Sequence, residues 1–456
     1  MIGRAPVKRK LTIAATVVVA LLVSAIAVVL ILDWRESSAA AAAQRPDPSF
    51  ALSVADFASN IPVIVLRADR DRPVSGSKTY SAFTMDIYEP GNDGLARLSN
   101  RPTSTLRTGV RLRGQVSRLF PKLSYRLKLQ DEAGASQEKP LLGMPADADW
   151  ALQGPWLDKS LIRNAFSYDL ARALGASGMR TRVCEVFLTT SGRPLRDADY
   201  VGVYQLTEDI ERGKERVNLD TGGYLLAWDV GEGNYLRQWN SIQVKYPKDP
   251  TAAEKAAIDD ALTAFDRALK APDSSDPVKG YAAHIEVDDW VNYILFEELV
   301  FNLDGYVRSF YLQKDRDGKI RPGPVWDHDL ALGHEFPGGT NFRHWWFIDR
   351  AASHGWVPRL MEDPAFVKKM ANRWGELRQG VLRDEQIEAR IDVFAAPLLG
   401  GAADRNFQRW RILNVRHPFT MREYITIATA TYPEQIAALK KFLRERAAWM
   451  DEHLQK

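Results

Sequence analysis

Two aspartates, Asp304 and Asp327, flank a segment with the pattern of a β-hairpin. Two runs rich in β-branched and aromatic residues, 306–313 and 319–325, lie between them, and the turn-forming residues 315–318 separate those runs. A hairpin would carry the chain away from Asp304 and return it at Asp327, so we expect the two carboxylates to lie side by side. Phosphoryl transfer uses such a pair, because one carboxylate can orient the attacking hydroxyl while the other holds Mg²⁺ against the phosphates of a nucleotide.

A third carboxylate, Asp329, follows Asp327 by two residues in the sequence that begins at Trp326. Side chains two positions apart share one face of a strand, so Asp327 and Asp329 are predicted to reach a single metal ion. His328 and His334 lie nearby, but their separation of six residues matches no helical pair of zinc ligands. We therefore interpret both histidines as structural.

Six cationic side chains fall within the 18 residues from Arg111 to Lys128, a segment with the pattern of a strand, a glycine-containing turn and a second strand. Four of these cations could line a pocket for phosphates, with the amides of the turn as further donors: Arg113, Lys122, Arg126 and Lys128. In the second strand, polar and apolar residues alternate from Ser124 onward. The cations could equally form the solvated face of an antiparallel sheet, and both interpretations stay open at this point.

Glu208 is a carboxylate at the end of a predicted strand, residues 200–206. It could orient a lysine beside a nucleotide, or it could belong to an ordinary surface ion pair. Lys245 allows the same two interpretations.

The composition is that of a globular protein long enough for two lobes. The chain has 456 residues, of which 45% are hydrophobic and 26% charged. The net charge is +3, but four positive charges lie within the first ten residues, so the remainder carries −1. Nothing in this distribution indicates a nucleic-acid-binding surface. The single cysteine, Cys184, cannot form an internal disulfide, and we interpret it as a small buried apolar residue.

An uncharged segment of 22 residues, 11–32, is predicted to span a membrane as one helix. As a helix it would measure about 33 Å, against a hydrocarbon core of about 30 Å. The preceding residues 1–10 are basic and acidic residues follow, so we expect a cytoplasmic N-terminus and an extracytoplasmic main domain. Small residues at 37–43 would also suit a signal peptidase, so cleavage is the alternative to a permanent anchor.

After a linker at 33–50, the chain divides into a β-rich part, 51–248, and a helical part, 249–456. Strands are predicted at 61–68, 82–88, 109–113, 124–130, 181–190, 200–206, 223–230 and 241–246, with one helix at 160–174. Further helices are predicted at 251–269, 287–303, 358–382, 384–395 and 433–454. The pattern predicts an α+β fold of two lobes with a cleft between them.

Taken together, these segments are similar to the CotH kinase family, the atypical kinases that resemble spore coat protein H. The matching stretches follow the order of the family: 113–128, 158–164, 202–208, 222–226, 245–247, 304–333 and 405–407. The resemblance implies a divergent protein-kinase-like fold with a β-rich N-lobe and a mostly helical C-lobe. It also implies that the protein binds ATP with Mg²⁺ and phosphorylates Ser or Thr of a protein substrate.

The resemblance carries over to individual residues. Asp304 matches the catalytic aspartate of the family and Asp327 matches the metal-binding one. Four further residues fall in segments that the family places near the nucleotide: Arg113, Lys122, Lys128 and Glu208.

One position departs from the pattern of ordinary protein kinases. There, an asparagine five residues after the catalytic aspartate holds the second metal ion, whereas this chain has Ser309 five residues after Asp304. Serine is a shorter and weaker oxygen ligand than asparagine. Three interpretations follow: one metal ion suffices, Asp329 takes the place of the asparagine, or the activity is impaired.

The sequence therefore favours a membrane-anchored protein kinase but leaves two alternatives. An exported domain meets little ATP, so the chain could instead be a noncatalytic envelope protein that binds a surface partner or a wall polymer. It could also cleave glycans with a carboxylate pair about 5–9.5 Å apart, although the cationic segment would then have no function.

Overall fold

The computed structural model describes residues 45–71, 73–76, 78–229, 233–335, 339–349, 355–416 and 425–454. These residues form an α+β structure, as predicted. The predicted membrane segment, 11–32, lies outside the described residues, as does the linker up to residue 44. Among the helices that are described, none combines the length and the apolar character needed to cross a bilayer.

The described residues form sixteen strands. They are β1 (Ala58–Ser59), β2 (Val63–Ala68), β3 (Ser81–Tyr88), β4 (Ala96–Arg97), β5 (Ser104–Leu112), β6 (Tyr125–Gln130), β7 (Lys139–Leu141), β8 (Met144–Asp147), β9 (Asp149–Gln153), β10 (Thr181–Thr189), β11 (Tyr200–Glu208), β12 (Tyr224–Trp228), β13 (Asn234–Tyr235), β14 (Ile242–Tyr246), β15 (Phe310–Lys314) and β16 (Arg321–Pro322).

Seven of these strands close into a barrel in the order β10-β11-β9-β6-β5-β3-β2. Neighbours are antiparallel except β10 and β2, which pair in parallel. Along β6, Tyr125, Leu127 and Leu129 are buried in the barrel interior, and the residues between them lie half-buried on the other face. The alternation in the sequence therefore does predict which way the side chains of β6 point. Cys184 of β10 is fully buried in the same interior, as expected.

A second sheet has five strands in the order β13-β14-β12-β15-β16. β15 and β16 form the predicted hairpin, but they are shorter than the two runs in the sequence and pair only at Leu312 with Pro322 and at Gln313 with Arg321. β12 pairs with β15 along its length. This sheet therefore joins residues from both sides of position 248, where the sequence suggested a boundary between lobes.

Nine α-helices complete the described part of the chain. They are α1 (Arg163–Ala173), α2 (Ala252–Lys270), α3 (Val287–Val300), α4 (Trp346–Asp349), α5 (Trp356–Leu360), α6 (Pro364–Gln379), α7 (Asp384–Ala395), α8 (Ala402–Arg409) and α9 (Tyr432–Leu454). The largest apolar core contains α1, α3, α6 and α9 together with the five-stranded sheet. α3 lies at the centre of this core, and its C-terminal end leads directly to Asp304.

Candidate active site

Asp304 lies in a tight loop between α3 and β15. The loop starts at Phe301, whose φ of 49° is left-handed, and Asn302 is buried and accepts a hydrogen bond from the Asp304 N–H through its Oδ1 at 3.2 Å. Tyr306 and Ser309 also have positive φ, 65° and 51°. Left-handed backbone is unfavourable for residues with a Cβ and persists only where the surrounding contacts hold it. The loop that carries the candidate catalytic carboxylate is therefore strained.

Asp327 lies in a second loop, which follows β16. Its φ of 64° is left-handed, so Asp327 and Asp329 do not alternate along a strand, and that prediction was wrong. The Asp327 N–H donates to the Tyr168 hydroxyl at 3.1 Å, and the His328 N–H donates to Asn164 Oδ1 at 2.6 Å. These side chains of α1 bind the N–H groups that a strand would use for pairing. The helix therefore determines the course of this loop.

A buried ion pair secures the far end of the same loop. The Arg163 guanidinium donates to Asp158 Oδ1 at 2.7 Å, and both side chains are almost completely buried. Arg163 also donates to the carbonyls of Ala331 at 3.0 Å and Leu332 at 3.3 Å. The segment 158–164, which resembles the CotH family, thus connects the start of α1 to the residues that follow Asp329.

The three candidate carboxylates lie close enough to affect one another. Burial raises the pKa of Asp329 well above its usual range, and the negative charges of Asp327 and Asp304 raise it further. Burial also raises the pKa of Asp327, while the charge of Arg113 opposes that increase. A buried carboxyl whose pKa is raised by neighbouring carboxylates is typical of sites that hold a cation or share a proton. The Ser309 hydroxyl, in the Asp304 loop, lies 3.4 Å from Asp327 Oδ2, so the two loops that carry the candidate carboxylates meet at this point.

Arg113, which directly follows β5, faces these carboxylates. Its guanidinium lies over the ring of Trp326 at 5.2 Å, and Trp326 stacks in parallel on Tyr168 with ring centroids 5.5 Å apart. Within the described ranges the guanidinium has no hydrogen bond and no ion pair. Stacking on an aromatic ring leaves the N–H groups of an arginine available to an anion. Arg113 is therefore positioned to bind a phosphate beside Asp327.

Further charges extend from Arg113 along the barrel and onto the five-stranded sheet. Arg126 forms an ion pair with Asp209 at 2.5 Å. Burial raises the pKa of Asp209, but the charges of Arg126 and Arg113 outweigh burial and lower that pKa below its usual value. Asp229, which follows β12, in turn raises the pKa of Asp327. The basic face of the barrel and the candidate carboxylates thus belong to one connected group of charges.

Lys122 does not face this group. Its side chain is 1% exposed, burial lowers its pKa well below the usual range, and its Nζ donates to Asn406 Oδ1 at 2.7 Å. The same oxygen accepts a hydrogen bond from the Val203 N–H at 3.1 Å. Asn406 Oδ1 also lies against the backbone of Gly202, where a Cβ would be only 2.5 Å from this oxygen. The φ of Gly202 is 105°, which also favours glycine at this position. Lys122 is therefore a structural link between the barrel and α8.

Lys128 and Glu208 also have protein partners. Lys128 donates to Asp149 Oδ2 at 3.0 Å. Glu208 accepts two hydrogen bonds from Arg180, one from its N–H at 2.8 Å and one from Nε at 2.7 Å. Glu208 thus pairs with an arginine rather than with the lysine that the sequence suggested. Of the four residues predicted near the nucleotide, the structure brings only Arg113 next to the candidate carboxylates.

A separate acidic cluster lies at the start of β9. Oxygens of Asp147, Asp149 and Glu211 lie within 4.8 Å of one another. Burial, together with the charges of Asp149 and Asp147, raises the pKa of Glu211 to about 8. Arg216 pairs with Asp147 at 3.0 Å, and Lys128 pairs with Asp149. Because cations already accompany these carboxylates, we interpret the cluster as an ion-pair network.

The chemistry of the candidate site fits Mg²⁺ and a nucleotide. Aspartate oxygens are the ligands that Mg²⁺ prefers, and Mg²⁺ is usually held by one or two carboxylates together with water and phosphate oxygens. Among the described residues, three ligand atoms lie within 4.8 Å of one another only in the acidic cluster above. At the candidate site, Asp327 with one neighbouring carboxylate would hold the metal, and Arg113 would contact the phosphates.

Aspartates whose pKa is raised by burial, beside an arginine that stacks on an aromatic ring, define a site suited to metal-assisted phosphate chemistry. The family model described as CotH kinase protein matches residues 110–450, which is most of the chain and includes every residue of this site. The protein therefore belongs to the CotH kinase family, and this membership indicates a phosphotransferase that uses a nucleotide and a metal ion. None of the curated proteins compared with the sequence matches it.

Several residues of the site do not stand out in the sequence. Asn164 and Tyr168 lie four positions apart on one face of α1 and hold the Asp327 loop, and this spacing was the available signal. Asp209 forms an ion pair with Arg126, and Asp229 raises the pKa of Asp327. No local sequence pattern distinguishes these two residues from surface aspartates. They could be found only through the tertiary structure.

Proposed function

We propose that the protein is a protein kinase that transfers the γ-phosphate of ATP to Ser or Thr hydroxyls of a protein substrate in the presence of Mg²⁺. One observation carries this proposal: the Asp304 loop meets the Asp327 loop where the Ser309 hydroxyl lies 3.4 Å from Asp327 Oδ2, the charges of Asp304 and Asp327 act on Asp329, and the charge of Arg113 acts on Asp327. Of the functions considered, phosphoryl transfer is the one that requires both the carboxylates and the cation.

Each side chain then has a defined task. Asp304 accepts a hydrogen bond from the substrate hydroxyl and aims its oxygen at the phosphate. Asp327 holds the metal, and Asp329 is the second carboxylate within reach. Arg113 stabilises negative charge on the phosphate oxygens, and its stacking on Trp326 keeps it in place. When bound, Mg²⁺ neutralises the phosphate oxygens and thereby favours attack by the hydroxyl.

The proposal includes the architecture and the location. The fold is a divergent kinase-like one, with an N-lobe in 51–248 and a C-lobe in 249–456. Residues 11–32 anchor the protein in a membrane, with the N-terminus in the cytoplasm and the main domain outside it. The support for the anchor is the uncharged length of that segment and the basic residues before it.

A noncatalytic binding protein is the second candidate, and Ser309 favours it. Its hydroxyl lies 3.4 Å from Asp327 Oδ2 and can offer a metal only a short, neutral ligand. A protein that has lost the second metal ligand could keep the fold and bind a partner at the cell envelope. In that case the charged group around Arg113 would be a remnant of the catalytic site.

Thermal unfolding and phosphate transfer, measured on the same full-length protein, test the proposal. A nucleotide present at 100 times its Kd stabilises the folded state by about 2.7 kcal/mol, which is readily detected. We expect ATP with Mg²⁺ at millimolar concentration to raise Tm, and labelled γ-phosphate to appear on the protein itself or on casein as a general acceptor. If ATP with Mg²⁺ leaves Tm unchanged and no labelled phosphate is transferred, the noncatalytic binding protein is favoured instead.

A further inference from the structure

Glu298, in the last turn of α3, is a buried carboxylate with a complete set of donors. It accepts hydrogen bonds from the Trp346 N–H at 2.7 Å, the Phe347 N–H at 3.0 Å, the Tyr306 hydroxyl at 3.0 Å and the Arg446 guanidinium at 3.1 Å. The side chain has no exposed surface. A buried charge is tolerated only where its partners are fixed, so these four groups and Glu298 hold one another in place.

Arg446 links this carboxylate to the C-terminal helix α9. Besides the Glu298 carboxylate, it donates to the Glu298 carbonyl at 2.7 Å, to the carbonyl of Phe342 at 2.6 Å and to that of His344 at 2.8 Å. The guanidinium also lies over the Trp449 ring at 4.4 Å. One fully buried arginine of α9 therefore holds the C-terminal end of α3 by hydrogen bonds.

Tyr306 transmits this arrangement to the loop that carries Asp304. It follows Asp304 by two residues, it is fully buried, and its left-handed φ of 65° is unfavourable for a residue with a large side chain. Its hydroxyl is bonded to Glu298. The loop is strained at three positions, so a fixed side chain within it is needed to keep the Asp304 carboxylate in one place.

We infer that Tyr306, Glu298 and Arg446 are positioning residues that hold the Asp304 carboxylate in the geometry for phosphate transfer. This inference rests on the proposed kinase function. It assigns a task to a chain of buried polar groups that extends from the C-terminal helix to the site and contains neither a metal ligand nor a phosphate ligand.

The metal-binding loop has a separate support. The neighbouring residue of α3, Glu297, lies 3.1 Å from Nε2 of His328, between Asp327 and Asp329. Tyr306 and Glu298 thus hold one loop, and Glu297 holds the other. Loss of the Tyr306 hydroxyl should therefore lower kcat and leave the Mg²⁺ and ATP concentrations for half-maximal rate unchanged.

The barrel offers a matched control. Tyr200 is also fully buried, its hydroxyl donates to Glu185 at 2.6 Å, and Arg405 binds the same carboxylate with two hydrogen bonds, at 2.8 and 2.6 Å. Tyr200→Phe and Tyr306→Phe each remove one hydroxyl from a buried Tyr-Glu-Arg chain. Only the second chain leads to Asp304.

The test is a double-mutant cycle in the full-length protein, with labelled phosphate transfer to casein as the readout and Tm as the check on folding. We expect Tyr306→Phe to lower kcat about 10- to 100-fold, the scale of a small displacement of a catalytic group. Tyr200→Phe should lower Tm by a similar amount with kcat within about twofold of wild type. In an Asp304→Asn background, Tyr306→Phe should cause no further loss of rate. The Tyr306 hydroxyl is inferred to act only by positioning the Asp304 carboxylate, and that carboxylate is already gone.

The outcomes separate the inference from the function on which it rests. An inactive wild type, or an Asp304→Asn variant with full activity, would overturn the proposed function and the inference with it. If Asp304→Asn lowers transfer strongly to a residual, measurable rate but Tyr306→Phe behaves like Tyr200→Phe, or lowers the rate by the same factor in both backgrounds, the inference alone fails. Should Tyr306→Phe not fold, Glu298→Gln interrupts the chain from the other side and must show the same loss of kcat at unchanged half-saturation.

Discussion

Replacing Asp327 with asparagine separates catalysis from stability at the centre of the site. The amide keeps the shape of the side chain and removes its charge, so the metal loses a ligand while the backbone of the loop is retained. Loss of one key electrostatic group costs about 10²- to 10³-fold in rate, or about 2.7–4 kcal/mol of transition-state stabilisation. We expect Asp327→Asn to lower phosphate transfer by at least 100-fold.

The same substitution should not destabilise the fold. The only side-chain hydrogen bond to the Asp327 carboxylate among the described residues is that from Ser309, which is long at 3.4 Å, and the N–H of residue 327 still donates to Tyr168. Burial and the negative charge of Asp229 raise the pKa of Asp327, so its ionised form is unfavourable in the folded state. Tm should therefore stay within about 2 °C of wild type or rise.

The assay is initial-rate transfer of labelled γ-phosphate, paired with a thermal melt. Asp199→Asn is the control, because it removes a carboxylate that binds Arg193 with two hydrogen bonds of 2.7 Å in the connection between β10 and β11. That variant should lose stability and keep its rate. Full activity in Asp327→Asn would refute the metal-ligand assignment, and a large drop in Tm would show that the carboxylate serves the fold.

Three further substitutions address the neighbours of Asp327. Ser309→Asn should lower the Mg²⁺ concentration for half-maximal rate several-fold, measured by titration of phosphate transfer, because asparagine tolerates the left-handed φ of 51° and adds a longer oxygen ligand. Arg113→Met should raise the KM for ATP about tenfold or more, the scale of a charge-assisted hydrogen bond, whereas Arg107→Met, on the same strand, should not. Glu211→Gln should stabilise the protein above pH 8 by about 1–2 kcal/mol, as measured by denaturant unfolding, and the gain should vanish toward pH 4.5.

The sign of the Glu211 effect follows from its raised pKa. Below its ordinary value of 4.5 the carboxyl is protonated in both states, and as pH rises toward about 8 only the unfolded chain ionises freely, so the folded state loses relative stability. A Gln variant that is less stable than wild type at pH 9 would contradict this. An unchanged Mg²⁺ requirement in Ser309→Asn, or equal KM values for the two arginine variants, would contradict the other two predictions.

Elements with a strong local signal were predicted well from the sequence. The alternation along β6 predicted which residues face the barrel interior, and the helix predicted at 251–269 is α2, whose start is stabilised by a capping box of Thr251 and Glu254. The region 358–382, predicted as one helix, is two. α5 ends at Leu360, and Asp363 caps α6 by accepting a hydrogen bond from the Ala365 N–H at 2.8 Å. The Asp-Pro sequence at 363–364 marks this break and was not used.

Contacts between distant parts of the chain could not be predicted in this way. The barrel closes through parallel pairing of β2 with β10, and no local pattern indicates the partner of a strand. Lys122 has the sequence context of a phosphate ligand, but its partner Asn406 lies 284 residues further along the chain. The contact between the two loops, at Ser309 and Asp327, was predictable because a single hairpin connects them. The same prediction failed in detail at Asp327, because side chains of α1 bind the backbone that was expected to continue as a strand.

The backbone and the charges of the two loops are energetically unfavourable by themselves. The buried polar residues around the loops offset this cost. One loop has three left-handed residues, and in the other the negative charge of Asp327 adds to the effect of burial in raising the pKa of Asp329. Neither arrangement would persist in isolation. Two consecutive glutamates of α3 hold them, Glu298 through Tyr306 and Glu297 through His328, and both are buried in the largest core of the protein. A divalent cation would relieve the repulsion between the carboxylates, so we expect Mg²⁺ to stabilise the folded state.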